Sequence, residues 1–237
     1  MFSDICVSHH SVVGAGHARP LRGGRYFTNG LILASIAALT LLGACSNGEK
    51  TARYLIDPPL SGERVPDRLG TAELKDVSLP EYAAGGEVSW QTEDGAVRSN
   101  TKELWADNPQ RAFTQTLART ISDMSGATVI AEPWPLAEPP RRRIEVRVEK
   151  ALAQADGIYR LSGRYFVSDD KAGGANQARS FDISVPLPVD SEPGAIARAQ
   201  SQAIAQLARQ IAVLGGPGRS VRTSSAPVPR IDDIFSQ

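Results

Sequence analysis

The chain has 237 residues, and its 26 lysines and arginines balance its 26 aspartates and glutamates. This neutral composition argues against a protein that binds nucleic acid through bulk charge, because such proteins carry a clear excess of basic residues. The length leaves room for a domain with a substantial hydrophobic core.

The start of the chain has the parts of an export signal. An apolar run over 31–42 follows three arginines, and small residues stand at a cut site before Cys45. The run is shorter than the about 20 apolar residues of a membrane-spanning helix. Leu42-Gly43-Ala44-Cys45 resembles a bacterial lipobox, in which the cysteine is lipidated and becomes the first residue of the mature protein. We therefore predict a lipoprotein signal peptide over 1–44 and lipidation at Cys45.

The main alternative is a signal peptide that is cut near Ala44 without lipidation. Cysteine occurs only at Cys6 and Cys45, and this scarcity favours the lipoprotein. Ser46 follows Cys45 in place of an aspartate, which resembles the default sorting of lipoproteins to the outer membrane in enteric bacteria. We therefore expect a lipid anchor on the periplasmic face of the outer membrane, joined to the rest of the protein by a tether over 45–51.

Cleavage at Cys45 would remove most of the residues used in nucleophilic and metal chemistry. All three histidines, His9, His10 and His17, lie in the leader together with Cys6. The mature chain would then lack a Ser-His-Asp triad, a Cys-His dyad and histidine-ligated zinc, and its single cysteine could form no internal disulfide. We expect no enzymatic activity, no metal site and no cofactor. A hydrolase that uses two carboxylates is the remaining enzymatic alternative.

One folded domain is predicted over 52–215. The residues that follow shift in composition to Ser, Pro and Arg, which predicts a flexible tail over 216–237. The first half of the domain contains short strands, two of which form a predicted hairpin around Glu93-Asp94-Gly95. A helix then begins after Asn108, which can cap it, and ends at Ser125-Gly126.

The second half of the domain alternates apolar and polar residues in three strands, around 144–148, 159–165 and 181–185. Residues 171–178 are predicted to form a loop between the last two strands. A final helix begins near Glu192-Pro193 and carries an apolar stripe. Because strands and helices are each apolar on one side, we predict an α+β two-layer sandwich, in which a mostly antiparallel sheet carries two helices on one face.

Two features are candidates for contact with a partner. Arg141-Arg142-Arg143 is the only basic run, and it fits either a solvated strand start or a contact for an anionic head group or an acidic partner. Trp105 lies between charged residues before a helix, although most tryptophans in small domains belong to the core. Three aspartates fit turns and helix caps, and we assign them no catalysis: Asp94, Asp107 and Asp156.

A series of short motifs follows the lipobox. They are Tyr54-Leu55-Ile56, the segment from Val77 to Tyr82, the segment from Leu104 to Pro109, the strand pair Arg143-Ile144-Glu145-Val146 and Tyr159-Arg160-Leu161, and the Ala-rich segment from Ala199 to Ala208. Their order resembles the ABC-type transport auxiliary lipoproteins, the family of the paraquat-inducible C component. The resemblance covers nearly all of 45–215.

This resemblance implies a docking function rather than catalysis. Such a lipoprotein would connect the outer membrane to a lipid transport system that contains an ABC transporter and a mammalian-cell-entry-type periplasmic protein, and it would help to maintain membrane integrity. Self-association into a homo-oligomer is a further expectation, and nucleic acid is not a partner. Two alternatives stay open. A deep apolar pocket would favour another envelope-assembly lipoprotein, and two facing carboxylates would favour a hydrolase.

Overall fold

The computed structural model describes residues 50–59, 62, 64–169, 174–188 and 192–222. The predicted signal peptide, Cys45 and most of the predicted tether lie outside these residues. Among the described residues, no helix combines the length and the apolar character that crossing a bilayer requires.

The described part of the chain contains nine strands and three helices. The strands are β1 (Ala52–Tyr54), β2 (Thr71–Leu74), β3 (Glu87–Gln91), β4 (Val97–Trp105), β5 (Thr128–Ala131), β6 (Arg142–Ala153), β7 (Ile158–Asp169), β8 (Ala175–Pro186) and β9 (Gly218–Arg222). The helices are α1 (Glu81–Ala84), α2 (Pro109–Ser125) and α3 (Pro193–Ala212). The predicted α+β class is confirmed.

All nine strands belong to one mixed sheet. Its main path runs β1-β4-β3-β6-β7-β8-β9, while β2 pairs with the start of β6 and carries β5 on its other side. The long strands β6, β7 and β8 are antiparallel neighbours, whereas β1 pairs with β4 and β2 pairs with β5 and β6 in parallel. The sheet is therefore mostly antiparallel, as predicted, because its longest ladders are antiparallel.

Alternating side chains give the sheet one apolar face, and α2 and α3 cover it. In β6, Ile144 and Val146 are fully buried, and in β7, Leu161 and Tyr165 are fully buried. The buried residues of α2 and α3 join them in one continuous core. Burying a large apolar side chain contributes about 1.5–3 kcal/mol, so this two-layer packing supplies most of the stability of the fold. The opposite face of the sheet remains polar.

Helix α2 shows how local sequence determines its ends. The Asn108 side chain accepts a hydrogen bond from the Arg111 backbone N–H, and Pro109 occupies the first helical position. Gly126 ends the helix with φ of 75°, a left-handed conformation that glycine adopts without steric cost. Both caps agree with the prediction.

Two buried tyrosines connect the sheet to α3 and the turn after it. The Tyr159 hydroxyl donates to Gln200 Oε1 over 3.0 Å, and the Tyr165 hydroxyl donates to the Gly215 carbonyl. Burial raises the pKa of Tyr159, and burial likewise raises the pKa of Tyr165 to about 12. Both phenols therefore stay protonated in the folded protein at pH values where an exposed tyrosine ionises.

We expect the protein to lose stability as the pH rises from about 10 to about 12. Unfolded tyrosines release their protons near pH 10, whereas folded Tyr165 keeps its proton up to about pH 12, so alkaline pH favours the unfolded state. Urea unfolding at a series of alkaline pH values measures this dependence. Tyr165→Phe should show a shallower fall because it lacks the phenol, and an equal slope in both proteins would contradict the assignment.

The structure differs from the prediction in three segments. The predicted loop over 171–178 extends too far, because its last four residues belong to β8, which begins at Ala175. The short helix α1 was not among the predicted elements. The predicted flexible tail begins with a strand, since β9 pairs with the start of β8 in antiparallel register. Residues 223–237 of that tail lie outside the described residues.

Candidate functional site

The three consecutive arginines at the start of β6 do not share one environment. Arg142 points toward the core side, where it donates to the Arg68 carbonyl and lies 3.9 Å from Asp169 Oδ2. Arg141 and Arg143 are exposed. Arg143 lies 3.6 Å from Glu73 Oε2 and opens onto the polar face of the sheet. The predicted basic run is therefore divided, and only part of it can form one contact surface.

A shallow groove of about 430 Å³ lies on this polar face, on the opposite side of the sheet from α2 and α3. We call it the basic groove, and its lining residues are Lys75, Arg143, Glu145, Arg147, Phe166 and Ser168. The Lys75 backbone N–H donates to the Ile144 carbonyl over 2.9 Å, which holds Lys75 beside β6. Its three cations outnumber Glu145 in the lining and Glu73 beside Arg143, which gives the groove a positive balance that favours anionic groups.

Phe166 is the aromatic centre of the basic groove. It is half-buried although it lies on the solvent-facing side of the sheet, where its register partner is Glu145. The Arg147 guanidinium lies 5.3 Å from the centre of the Phe166 ring, which is the distance of a cation–π contact. Arg147 also donates to Glu145 Oε1 over 2.6 Å. The groove thus combines fixed positive charge with an apolar ring.

A second arginine, Arg164, stands beside the basic groove directly opposite Arg147 in the β6–β7 register. Both side chains are exposed. The register of β6 shifts between Val148 and Lys150, just after Arg147, and Gly163 of β7 pairs with Val148 at this irregularity. The bulge and the glycine together fix the position of both arginines on the sheet.

Trp105 does not belong to a contact surface. Its side chain is only 6% exposed and forms part of the core, and its backbone N–H donates to the Gly86 carbonyl over 2.9 Å. The expectation of an exposed Trp105 is wrong, because β4 extends through this residue and turns it toward the helices. Trp105 therefore stabilises the domain and offers almost no surface to a partner.

The three predicted turn and cap aspartates occupy such positions. Hydrogen bonds from the Thr92 hydroxyl, the Ala96 N–H and Arg98 lower the pKa of Asp94 in the hairpin turn. A hydrogen bond from Arg111 lowers the pKa of Asp107 at the start of α2. Asp156 accepts from Arg160 over 2.8 Å in the β6–β7 turn. The contacts of Asp94 and Asp107 favour their ionised forms, and all three aspartates occupy structural positions in turns or at a helix start.

A second cleft, of about 780 Å³, lies at the other end of β6 and beside the start of α3. Apolar Trp90, Leu187 and Ile196 line it together with polar Gln91 and Gln154. Most of its remaining lining residues are also apolar, although Glu93 and Asp156 add two carboxylates, so the cleft keeps open the alternative of another binding lipoprotein. Within the described ranges, no group of three or more His, Cys, Asp or Glu side chains could hold a metal ion.

Comparison with known proteins assigns the fold to a family. The family model for the ABC-type transport auxiliary lipoprotein component matches residues 54–212. This chain belongs to that family. Over 140 residues it is 30% identical to the intermembrane transport lipoprotein PqiC of Escherichia coli K12. The matched region covers 57% of this chain and 73% of that relative. PqiC of Shigella flexneri matches with the same identity and coverage. The members of this family are auxiliary components of transport systems, and the family is not one of enzymes.

Two crystal structures share the fold of this auxiliary lipoprotein. One is an uncharacterised protein with 21% identity and a TM-score of 0.53, covering 65% of this chain and 99% of that protein. The other is a Xanthomonas campestris protein with 12% identity and a TM-score of 0.51, covering 68% of this chain and 93% of that protein. At these identities the likeness concerns the fold alone.

Four residues in or beside the basic groove of the auxiliary lipoprotein were not identified from the sequence: Lys75, Arg147, Arg164 and Phe166. The alternation of β6 and β7 placed the last three on a polar strand face, but a polar face is usually only solvated. The available signal was Phe166, an apolar residue whose neighbours on the same face of the strand, Arg164 and Ser168, are polar. Lys75 could not have been grouped with them, since its contact with β6 is long-range.

Proposed function

We propose that this auxiliary lipoprotein is anchored through Cys45 to the periplasmic face of the outer membrane. There it would dock the outer-membrane end of an ABC-type lipid transport system that contains a mammalian-cell-entry-type periplasmic protein. The supporting observation is the family match over residues 54–212, which begins nine residues after the lipobox cysteine. The name of the Escherichia coli relative, an intermembrane transport lipoprotein, agrees with this function.

The proposal assigns catalysis to no residue of the domain. The three aspartates considered in the sequence, Asp94, Asp107 and Asp156, are held in turns or ion pairs. A docking protein needs only a stable fold, a membrane anchor and a surface for its partner. The described domain provides the stable fold, and the basic groove is its best-supported surface.

Cys45→Ser should release the protein from the membrane fraction and abolish its co-purification with the transporter. Several acyl chains hold a protein stably at a bilayer, whereas a chain without them has only weak surface contacts. Membrane fractionation on a density gradient, mass spectrometry of Cys45 and affinity purification from detergent extracts measure the three readouts. The leader variant Cys6→Ser is the matched control and should behave like the wild type.

Two outcomes would count against the proposal. Exported protein with an unmodified Cys45 would contradict the lipid anchor. Lipidated protein that co-purifies with no periplasmic transporter component would contradict the docking function but not the anchor.

A further inference from the structure

Arg147 and Arg164 form a like-charged pair on the exposed face of the sheet. They are register partners across β6 and β7, and like charges directly opposite each other destabilise a sheet. Arg147 has Glu145 as an ion-pair partner, but among the described residues no carboxylate forms an ion pair with Arg164. An anionic group placed between the two arginines would relieve this repulsion.

We propose that the basic groove and Arg164 bind an extended acidic segment of a protein partner. The inference rests on the proposed docking function and specifies the chemistry of the partner. Same-face residues of a strand recur about every 6.6–6.8 Å, so Arg143 and Arg147, four residues apart on β6, stand about 13 Å apart. An extended peptide with acidic side chains at alternate positions matches this spacing, and Phe166 between the arginines contacts its apolar parts.

The basic groove lies at the end of β6 that is far from the β3–β4 hairpin. The groove lies near the start of β6, and Ala153 at the far end of β6 pairs with Trp90 beside the β3–β4 hairpin. Ten residues of strand separate Arg143 from Ala153, a length of about 33 Å. The basic groove and the β3–β4 hairpin therefore lie toward opposite ends of β6.

The two ends of the sheet also differ in charge. At the hairpin end, Arg98 and Arg160 form ion pairs with Asp94 and Asp156. Around the groove, Lys75 and three arginines outnumber the carboxylates of Glu73 and Glu145, which attracts an acidic segment to this end. Surface ion pairs such as Glu145–Arg147 are weak, so an incoming carboxylate can replace Glu145 at little cost.

The test uses the purified full-length mature protein in a neutral detergent and a fluorescein-labelled peptide of alternating glutamate and serine. Fluorescence anisotropy should show binding that weakens with added salt, and a matched lysine–serine peptide should not bind. Arg147→Glu and Arg164→Glu should each weaken binding about tenfold or more, the loss of a charge-assisted contact. Arg164→Glu also converts the like-charged pair into an opposite-charged one, so the melting temperature of this variant should not fall.

Arg98→Glu is the matched control, because Arg98 is an exposed strand arginine at the hairpin end. It should leave peptide binding unchanged. Equal binding of the acidic peptide by the wild type and both groove variants would overturn the inference. Binding of phosphatidylglycerol vesicles through Arg147 and Arg164, with no binding of the peptide, would also overturn it in favour of lipid head groups. Because the peptide assay does not depend on Cys45, its failure is distinguishable from failure of the lipid anchor.

Discussion

Replacing Gly163 with alanine should lower the free energy of unfolding by about 3 kcal/mol or more, enough to unfold a marginally stable domain. A Cβ atom at this position would overlap the Arg147 carbonyl oxygen and would lie 2.9 Å from Phe181 Cζ and 3.0 Å from Val148 Cα. Two of these three neighbours are backbone atoms of the adjacent strand. They cannot move without breaking the β6–β7 ladder, so no small shift of the structure can relieve the overlap.

Urea unfolding of the purified protein measures this effect. Gly86→Ala is the matched control, since a Cβ atom there meets no other atom within 4 Å. It should change the free energy of unfolding by less than about 0.5 kcal/mol. Gly163→Ala protein with wild-type stability would show that β6 and β7 do not approach as closely as the structure describes, and the positions of Arg147 and Arg164 would then need revision.

Trp105→Ala should also destabilise the domain strongly, by about 3–5 kcal/mol, because it removes the largest type of side chain from the core. Trp105 is 6% exposed and lies in register with Tyr54 at the point where β1 joins the sheet. The cavity left behind would be bordered by both β1 and β4. Chemical unfolding gives the loss directly, and binding to the partner proposed above should weaken only as far as the protein unfolds.

Trp134→Ala provides the comparison, because Trp134 is only half-buried and its indole N–H donates to the Glu138 carbonyl within its own loop. Its replacement should cost clearly less than that of Trp105. If Trp105→Ala kept wild-type stability but lost partner binding, Trp105 would be a contact residue after all, and its burial in the core would be wrong.

Local patterns were sufficient to predict much of the fold. The Glu93-Asp94-Gly95 turn predicted the β3–β4 hairpin, and the capping residues at each end of α2 predicted where that helix begins and ends. The alternation in β6 and β7 identified the buried face of the sheet. These features depend on neighbours within a few residues, and for such features side-chain period and cap chemistry are informative.

Features that depend on distant contacts were not predictable. In β9, Gly218, Arg219 and Ser220 are exposed residues, so no apolar pattern marks it as a strand. It forms because the edge of β8 supplies backbone partners, 39 or more residues earlier in the chain. The orientation of Trp105 was misjudged for a related reason. Its polar neighbours suggested exposure, whereas pairing with β1 and β3 turns it inward.

The candidate site shows the same limit. Arg143 was identified from a run of basic residues, but its neighbours in the groove were not. Arg147 and Arg164 are 17 positions apart and become opposite each other only through the register of β6 and β7, which includes a bulge. A one-residue slip would place one of the two on the other face of the sheet. No local motif encodes that register.

Strand β9 has a practical consequence for work on this protein. It lies beyond residue 212, where the family match ends, and it covers the edge of β8 from Ala175 to Arg179. A chain shortened to the family boundary would leave a row of unpaired N–H and C=O groups along that edge. Bare edges of this kind act as templates for pairing with other chains and promote aggregation. Expression of this domain should therefore extend at least through Arg222.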